Sequence, residues 1–431
     1  MLSFNAFLIE TTNTDWKSNM FRFSEYLIES PNAKNTHLEH LEDNILNAGV
    51  EGARQSINYL RSLRDMLAGK SKAAANVTIK WDGAPAVFAG MDPTDGKFFV
   101  AKKGIFNKNP KVYKTNDDID ADTQGDLNAK LKLALEELPK LGIKGVVQGD
   151  FLYSKEDIRE VDIDGEPYIT FHPNTIVYAV PKNSQLAREI LASRIGVVWH
   201  TTYRGDTLES MSASFGEEIA SGLKKTKSVW SVDALYRDVS GTATFNAAET
   251  KEITEILSKA GKIFSGLKRP YLDGLSDNDE LLIRVKAFIN SKVRAGERIG
   301  DTTKFVDDLV KYVHDYYQKE IEKKATEKSK ASWESKRTEV MKYFSNTPKS
   351  EIVKIFDMYD LIVDAKHMIV RKLDKAKQIG TFLRTEDGYK VTEQEGFVAI
   401  DHMGKNAVKL VDRLQFSRAN FSQEIIKGWQ R

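Results

Sequence analysis

The chain has 431 residues, 41% of them hydrophobic and 29% charged, with a formal net charge of +2. At about 150 residues per domain this predicts two or three domains with ample material for a core. The near-balance of charge excludes a histone-like polycation and an acidic tail protein, so any nucleic-acid surface has to be a local patch. The chain contains no cysteine, which excludes a disulfide scaffold, a Cys-ligated metal and a Cys nucleophile and favours an intracellular, cytoplasmic compartment. Met1–Glu10 has neither the basic start nor the apolar core of a signal peptide. No stretch approaches the roughly 20 apolar residues that span a bilayer, so no membrane partner is expected.

Four segments are predicted. Residues 1–75 read as a helical lead-in, with Ile57, Leu60, Leu63, Met66 and Leu67 at helical spacing and Gly69 as a stop. Residues 76–204 mix strands and helices. Val77–Ile79 and Phe98–Val100 read as strands, Leu127, Leu131, Leu135 and Leu138 as one core-facing helical stripe, and Gly145–Val147 and Thr175–Val180 as buried strands. Asp164–Gly165 marks a hairpin turn.

Residues 205–379 read as a helical insertion, with stripes such as Phe305, Leu309, Tyr312, Val313, Tyr316 and an N-cap at Asp301–Thr302. Within it, Lys319–Lys342 is rich in both Lys and Glu. This is either a solvated helix or a basic surface that touches a phosphate backbone. Residues 380–431 return to strands, with hairpin turns at Glu386–Gly388 and Asp401–Gly404 and a final helix. The fold class expected is α+β.

The densest chemical signal is Lys80–Trp81–Asp82–Gly83, directly after an apolar strand. A lysine at a strand end can be partly desolvated and held near other cations, and both effects favour the neutral, nucleophilic amine. Gly83 allows close approach of the backbone. Ala101–Lys102–Lys103–Gly104 again follows a strand and offers cations for phosphates. Gln148–Gly149–Asp150 places an acid at the end of a buried strand, Ile176–Val177–Tyr178 is an aromatic strand, and Glu395–Gly396–Phe397–Val398 and Val408–Lys409–Leu410–Val411 follow much later.

In that order these motifs resemble the covalent nucleotidyltransferase superfamily of ATP-dependent RNA and DNA ligases and mRNA capping enzymes, and within it a phage-type ligase-like protein. The resemblance covers roughly residues 76–203 and 380–415. It implies an antiparallel-sheet, ATP-grasp-like core without a C-terminal OB-fold, because only a helix's length follows Lys409. Lys80 matches the lysine that becomes linked to AMP, with Asp82 and Gly83 beside it at the nucleotide. Lys102 or Lys103 matches the basic residue of the second motif. Asp150 matches the ribose-binding acid and a metal ligand, Tyr178, with Phe171 as competitor, the base-stacking aromatic, Glu395 the metal-binding glutamate, and Lys409 the lysine at the α-phosphate.

The implied cofactors are ATP and Mg²⁺ or Mn²⁺. The implied activity is a polynucleotide ligase acting on RNA or nicked DNA, gripped through Lys323, Lys324, Lys328, Lys330, Lys336 and Arg337. Transfer to another acceptor (DNA, an RNA cap, a protein) and a non-catalytic nucleotide-binding phage protein are the alternatives.

Four departures from the family pattern stand out. Asp150 replaces Glu, Val411 stands where a second lysine is usual (with Lys405 or Arg413 as substitutes), Pro85 stands where DNA ligases often carry Arg, and the helical insertion separates Tyr178 from Glu395. His37 and His40 lack the H-E-x-x-H spacing of a zinc site. His172, His200, His314, His367 and His402 show no pairing in sequence.

Overall fold

The computed structural model describes residues 39–69, 76–107, 109–235, 244–375, 379–386, 388–400, 407–422 and 424–429. His37, the turn at Asp401–Gly404 and Lys405 lie outside the described residues.

The described residues open with a 3₁₀ turn at Leu41–Asp43 and helices α1 (Asn44–Asn47) and α2 (Gly49–Leu67). Strands β1 (Asn76–Ile79), β2 (Ala86–Met91) and β3 (Phe98–Ala101) follow, then α3 (Asn116–Asp122) and α4 (Gly125–Glu137). Next come β4 (Val146–Ser154), β5 (Arg159–Ile163), β6 (Glu166–Phe171), β7 (Ile176–Pro181), α5 (Gln185–Ala192), β8 (Ile195–Arg204), β9 (Ser212–Phe215) and β10 (Val229–Asp233). Six helices run consecutively: α6 (Ala247–Gly266), α7 (Arg269–Ser276), α8 (Asp279–Arg294), α9 (Thr302–Glu322), α10 (Glu327–Asn346) and α11 (Lys349–Asp374). The chain returns through β11 (Gly380–Thr385), β12 (Gly388–Val391), β13 (Phe397–Ile400), β14 (Ala407–Leu410) and α12 (Arg413–Phe421).

The architecture is mixed α/β, and the sheets are antiparallel apart from one parallel pair, β8 with β10. One sheet has the order β1-β13-β14, a second β10-β8-β4-β2-β3 with β9 on β8, and a third β12-β11-β7-β6-β5. The β5–β6 hairpin turns through Asp164 and Gly165 at φ 55° and 86°, the positive values a two-residue turn needs. Tyr178 of β7 pairs with Thr381 of β11, so the chain that leaves the second sheet after β10 rejoins, past the inserted helices, in the third sheet beside β7.

Two predicted boundaries move. The helical insertion starts at Ala247, not at 205, because the short strands β9 and β10 extend the second sheet. Four- and five-residue strands with mixed polarity leave little periodicity to read. The described N-terminal helices also belong to the helical layer. Leu41, Ile45, Leu60 and Leu63 share one core with Leu257, Leu309, Ile355 and Ile362, and that core continues into Phe397, Val408 and Leu410 of the first sheet. The predicted stripe on α4 packs through Leu131 and Leu138 against Val147 and Trp199 of the second sheet. Asp301 caps α9, its Oδ1 accepting from Lys304 N at 3.1 Å.

β4 and β8 press together at Gly149, where the register shifts. A Cβ there would meet Val198 O at 2.5 Å and Trp199 Cε3 at 2.8 Å, whereas one on Gly222 meets nothing within 4 Å. Gly149→Ala is therefore expected to cost about 1–3 kcal/mol, read as a lower midpoint of thermal or urea unfolding, with Gly222→Ala close to wild type.

Candidate functional site

The site is built where the first sheet meets the other two. Lys80 leaves β1 just as the chain that will become β13 arrives. Ile79 pairs with Phe397, and Lys80 N donates to Gly396 O at 2.9 Å. That register puts Lys80 and Glu395 side by side, and Lys80 Nζ forms an ion pair with Glu395 Oε1. Gly396 holds φ 139°, and a Cβ on it would strike Val411 Cγ2 at 2.6 Å, so the glycine is required by both conformation and space.

The next three residues are fixed by the turn between β6 and β7. The Asp82 carboxylate accepts from Asn174 Nδ2 at 2.6 Å, Thr175 N at 2.7 Å and Ile176 N at 2.8 Å. Asp82 N donates to the Tyr178 hydroxyl at 2.7 Å. Gly83 passes against β4, where a Cβ would lie 2.5 Å from Asp150 Cβ. Asp82 thus anchors the loop, and Gly83 lets it lie on the strand that carries Asp150.

Asp150 lies within β4 rather than at its end, paired with Ala86 and Val198. Burial pushes its carboxyl up to about 8, against the pull of Lys80 and with Glu395 and Asp82 adding repulsion. Burial likewise pushes Glu395 up to about 7, although Lys80 draws it down. Lys409, on β14 opposite Val398, is held below the usual lysine range by burial and then by the Lys80 charge, with Lys103 contributing as a further cation. Lys80, Asp82, Lys103, Asp150, Glu395 and Lys409 therefore act on one another electrostatically as a single cluster.

Other predicted residues sit differently. Lys102 turns to Asp122, 3.0 Å away, an acid that also takes Lys111 and the Tyr113 hydroxyl. Tyr178 is only 2% exposed and packs between Trp81 and Phe171, centroids 5.0 and 5.4 Å away. Its ring supports the Lys80 loop from inside the core, and Phe171 is buried with it. Val411 is buried against Gly396, which explains the apolar residue at that position. Arg413, the alternative source of charge there, instead pairs with Asp43 at 2.9 Å and Asn290 at 2.6 Å.

The cations proposed to grip a strand are mostly neutralised in place. Lys323 and Lys324 share Glu320 at 2.5 and 3.5 Å, Lys330 pairs with Glu327 at 2.8 Å, and Arg337 donates to Gln318 at 2.6 Å. Lys336 and Lys324 flank the Trp333 ring at 5.1 and 4.5 Å, and Lys328 is exposed. The α9–α10 segment is thus a solvated helical pair laced with local ion pairs.

Two residues of the site carry no sequence signal. His200 Nε2 lies 3.9 Å from Asp150 Oδ2 while Nδ1 meets Thr201 Oγ1 at 2.7 Å. Burial, then the Lys80 charge, lowers its pKa to about 4, so the ring is neutral at pH 7. Phe416 of α12 stands over Lys80 Nζ, 5.6 Å from the ring centroid. The segment after α12 ties itself to the Asp82 anchor: Gly428 N donates to Asn174 O at 2.6 Å and Lys427 Nζ to Thr175 Oγ1 at 3.3 Å. Only spatial proximity could reveal either residue, since both come from segments far from Lys80 in the chain.

Because the folded pKa of Asp150 lies above its unfolded value, the stability tied to its neutral form is complete below about pH 4 and is lost as pH rises through about 8. Asp150→Asn, isosteric with the neutral acid, is expected to leave the melting temperature unchanged near pH 4. It should raise stability by on the order of 3 kcal/mol above pH 8, less than the full shift because the group keeps some solvent contact. Thermal melts across pH read this directly.

Among the described residues no helix is long and apolar enough to cross a membrane, and no three His, Cys, Asp or Glu side chains converge as a ready metal cage. The chain matches the model of a family of unknown function, DUF6267, over residues 35–425, and belongs to that family. No curated protein and no solved structure is similar to it.

Proposed function

We propose that the chain is an ATP-dependent nucleotidyltransferase of the polynucleotide-ligase kind, built on a nucleotidyltransferase core and acting through a lysyl–AMP intermediate on Lys80. The observation that carries this reading is the buried cluster in which Lys80 pairs with Glu395 beside Asp150 and Lys409. Glu395, paired directly with the amine, is placed to take a proton from it. In the first step Glu395 accepts a proton from Nζ and the nitrogen lone pair attacks the α-phosphorus of ATP. The P–N bond forms as the α–β bridging P–O bond breaks, and pyrophosphate leaves with the electron pair. Lys409 and Lys103 stabilise the charge that gathers on the phosphate oxygens.

In the second step a 5′-phosphate oxygen takes the AMP, and Nζ recovers its proton as the P–N bond breaks. A 3′-hydroxyl then forms the new phosphodiester and AMP departs. Asp150 and Glu395 fit a divalent cation: both are desolvated carboxylates whose ionised forms repel each other, and a cation offsets that repulsion. Bound there, Mg²⁺ or Mn²⁺ would neutralise phosphate charge.

The test is incubation with α-labelled ATP or GTP and divalent metal, followed by denaturing electrophoresis. Label from ATP is expected to stay on the protein through denaturation. Retained GTP label and no ATP label would move the reading to capping chemistry, and no label from either would end it. Sealing assays on nicked DNA, nicked RNA and single-stranded RNA then identify the acceptor.

A further inference from the structure

The strand-gripping surface has to be sought elsewhere than on α10, where acids accompany the cations. The cleft along α4 is similarly mixed, with Lys130, Lys132, Lys155 and Arg194 facing Asp126, Glu136 and Glu156. One groove differs. Between α2 and the α6–α7 corner lies a groove of about 220 Å³ lined by Arg54, Arg61 and Arg269, with Phe264 and Leu272 among the apolar walls and no acidic residue in the lining.

Arg54 and Arg61 are seven residues apart on α2, on one helix face with about 10 Å of rise between them. Arg269 opens α7 across the groove. Arg61 and Arg269 make no ion pair among the described residues. Arg61 has only a long contact to Asn58 Oδ1 at 3.5 Å, and Arg54 is paired to Glu51 on its own helix. Burial, then the neighbouring Arg64 charge, holds the Arg61 guanidinium below the usual arginine range, with Asp65 offsetting part of it. The Phe264 ring lies 6.0 Å from the Arg54 guanidinium carbon.

We infer that this groove binds single-stranded nucleic acid, its three arginines on the phosphate backbone and Phe264 against a base. Guanidinia matched to phosphates and an aromatic platform between them are what a sequence-tolerant strand site requires. An acidic peptide would use the same cations but has no use for the ring. The choice of polyanion rests on the acceptor named in the proposed reaction; the groove itself does not.

The experiment measures anisotropy of a fluorescein-labelled single-stranded RNA, and of DNA of the same sequence, with the whole protein across a salt series. Wild type should bind with a steep salt dependence. Arg54→Gln/Arg61→Gln/Arg269→Gln should weaken binding roughly 10-fold or more and flatten the log–log salt slope by about two. Arg269→Glu, at an exposed position, should weaken binding on its own, which guards against misfolding of the triple variant. Lys328→Gln/Lys336→Gln should bind close to wild type.

Binding by the triple variant equal to wild type, absence of binding by wild type, or equal competition by polyglutamate would each overturn the inference. Formation of lysyl–AMP from labelled ATP is read in the same preparations and should be unchanged by the arginine substitutions. Loss of strand binding with labelling intact supports the groove, and absence of labelling in wild type removes the proposed reaction without touching the groove result.

Discussion

Lys80→Ala protein incubated with α-labelled ATP and Mg²⁺ should carry no label after denaturation, and strand sealing should fall by at least about a thousandfold, because the proposed reaction runs through the Lys80 amine. The fold should survive the substitution, because without Lys80 the Glu395 carboxyl, already pushed up to about 7 by burial, takes up a proton rather than remaining an unpaired buried charge. Lys80 lies at a strand end, and what holds its loop is the Asp82 carboxylate on the β6–β7 turn, not the lysine side chain. Two further variants separate chemistry from charge. Lys80→Arg keeps a cation facing Glu395, but a guanidinium stays protonated and cannot attack phosphorus, so label should again be absent. Glu395→Gln keeps a hydrogen-bonding partner and removes the proton acceptor, which should slow labelling by about 10²–10⁴-fold while Lys80 remains modifiable. Label persisting in Lys80→Ala at wild-type yield would sink the mechanism.

The second large effect lies behind the site. Glu42 and Lys366 are both fully buried and pair at 2.7 Å. Burial works to raise the Glu42 carboxyl, but Lys366 and then Arg413 outweigh it and hold the group below its usual value. Its contribution is therefore present above the unfolded carboxylate pKa and is lost as pH falls. Around this pair, Arg413 reaches Asp43 at 2.9 Å and the Tyr359 hydroxyl meets Asp43 at 3.1 Å.

Lys366→Met strands a buried carboxylate and should cost about 3–5 kcal/mol, whereas Lys366→Met/Glu42→Met should recover much of that. Urea unfolding at pH 7 reads both. A double variant no more stable than the single would show that the pair is not the unit that matters. Arg413 opens the helix that carries Phe416 over Lys80, so the single variant should also reduce labelling.

Several parts of this protein were legible in the sequence because they depend on neighbours in the chain. Val77–Ile79 is an apolar strand and Lys80 ends it; Asp164–Gly165 tolerates the positive φ of a tight hairpin; Asp301 caps a helix whose stripe starts with Phe305 and Leu309. The grouping of Lys80, Asp150, Glu395 and Lys409 was legible only as an order of short motifs, since residues 80 and 395 carry no local sign that they touch.

Tertiary structure decided that contact through the register of β1 on β13, a pairing set by backbone hydrogen bonds and by which apolar faces the helical layer covers. The same cause hid the anchoring of Asp82 by backbone N–H groups, which every residue but proline possesses. It also hid the approach of His200 and Phe416 and the burial of Tyr178, which reads as an accessible aromatic until Trp81 and Phe171 enclose it. Sequence periodicity sets which side of an element is apolar; which other element covers that side, and therefore which charges end up desolvated together, is settled only when distant segments pack.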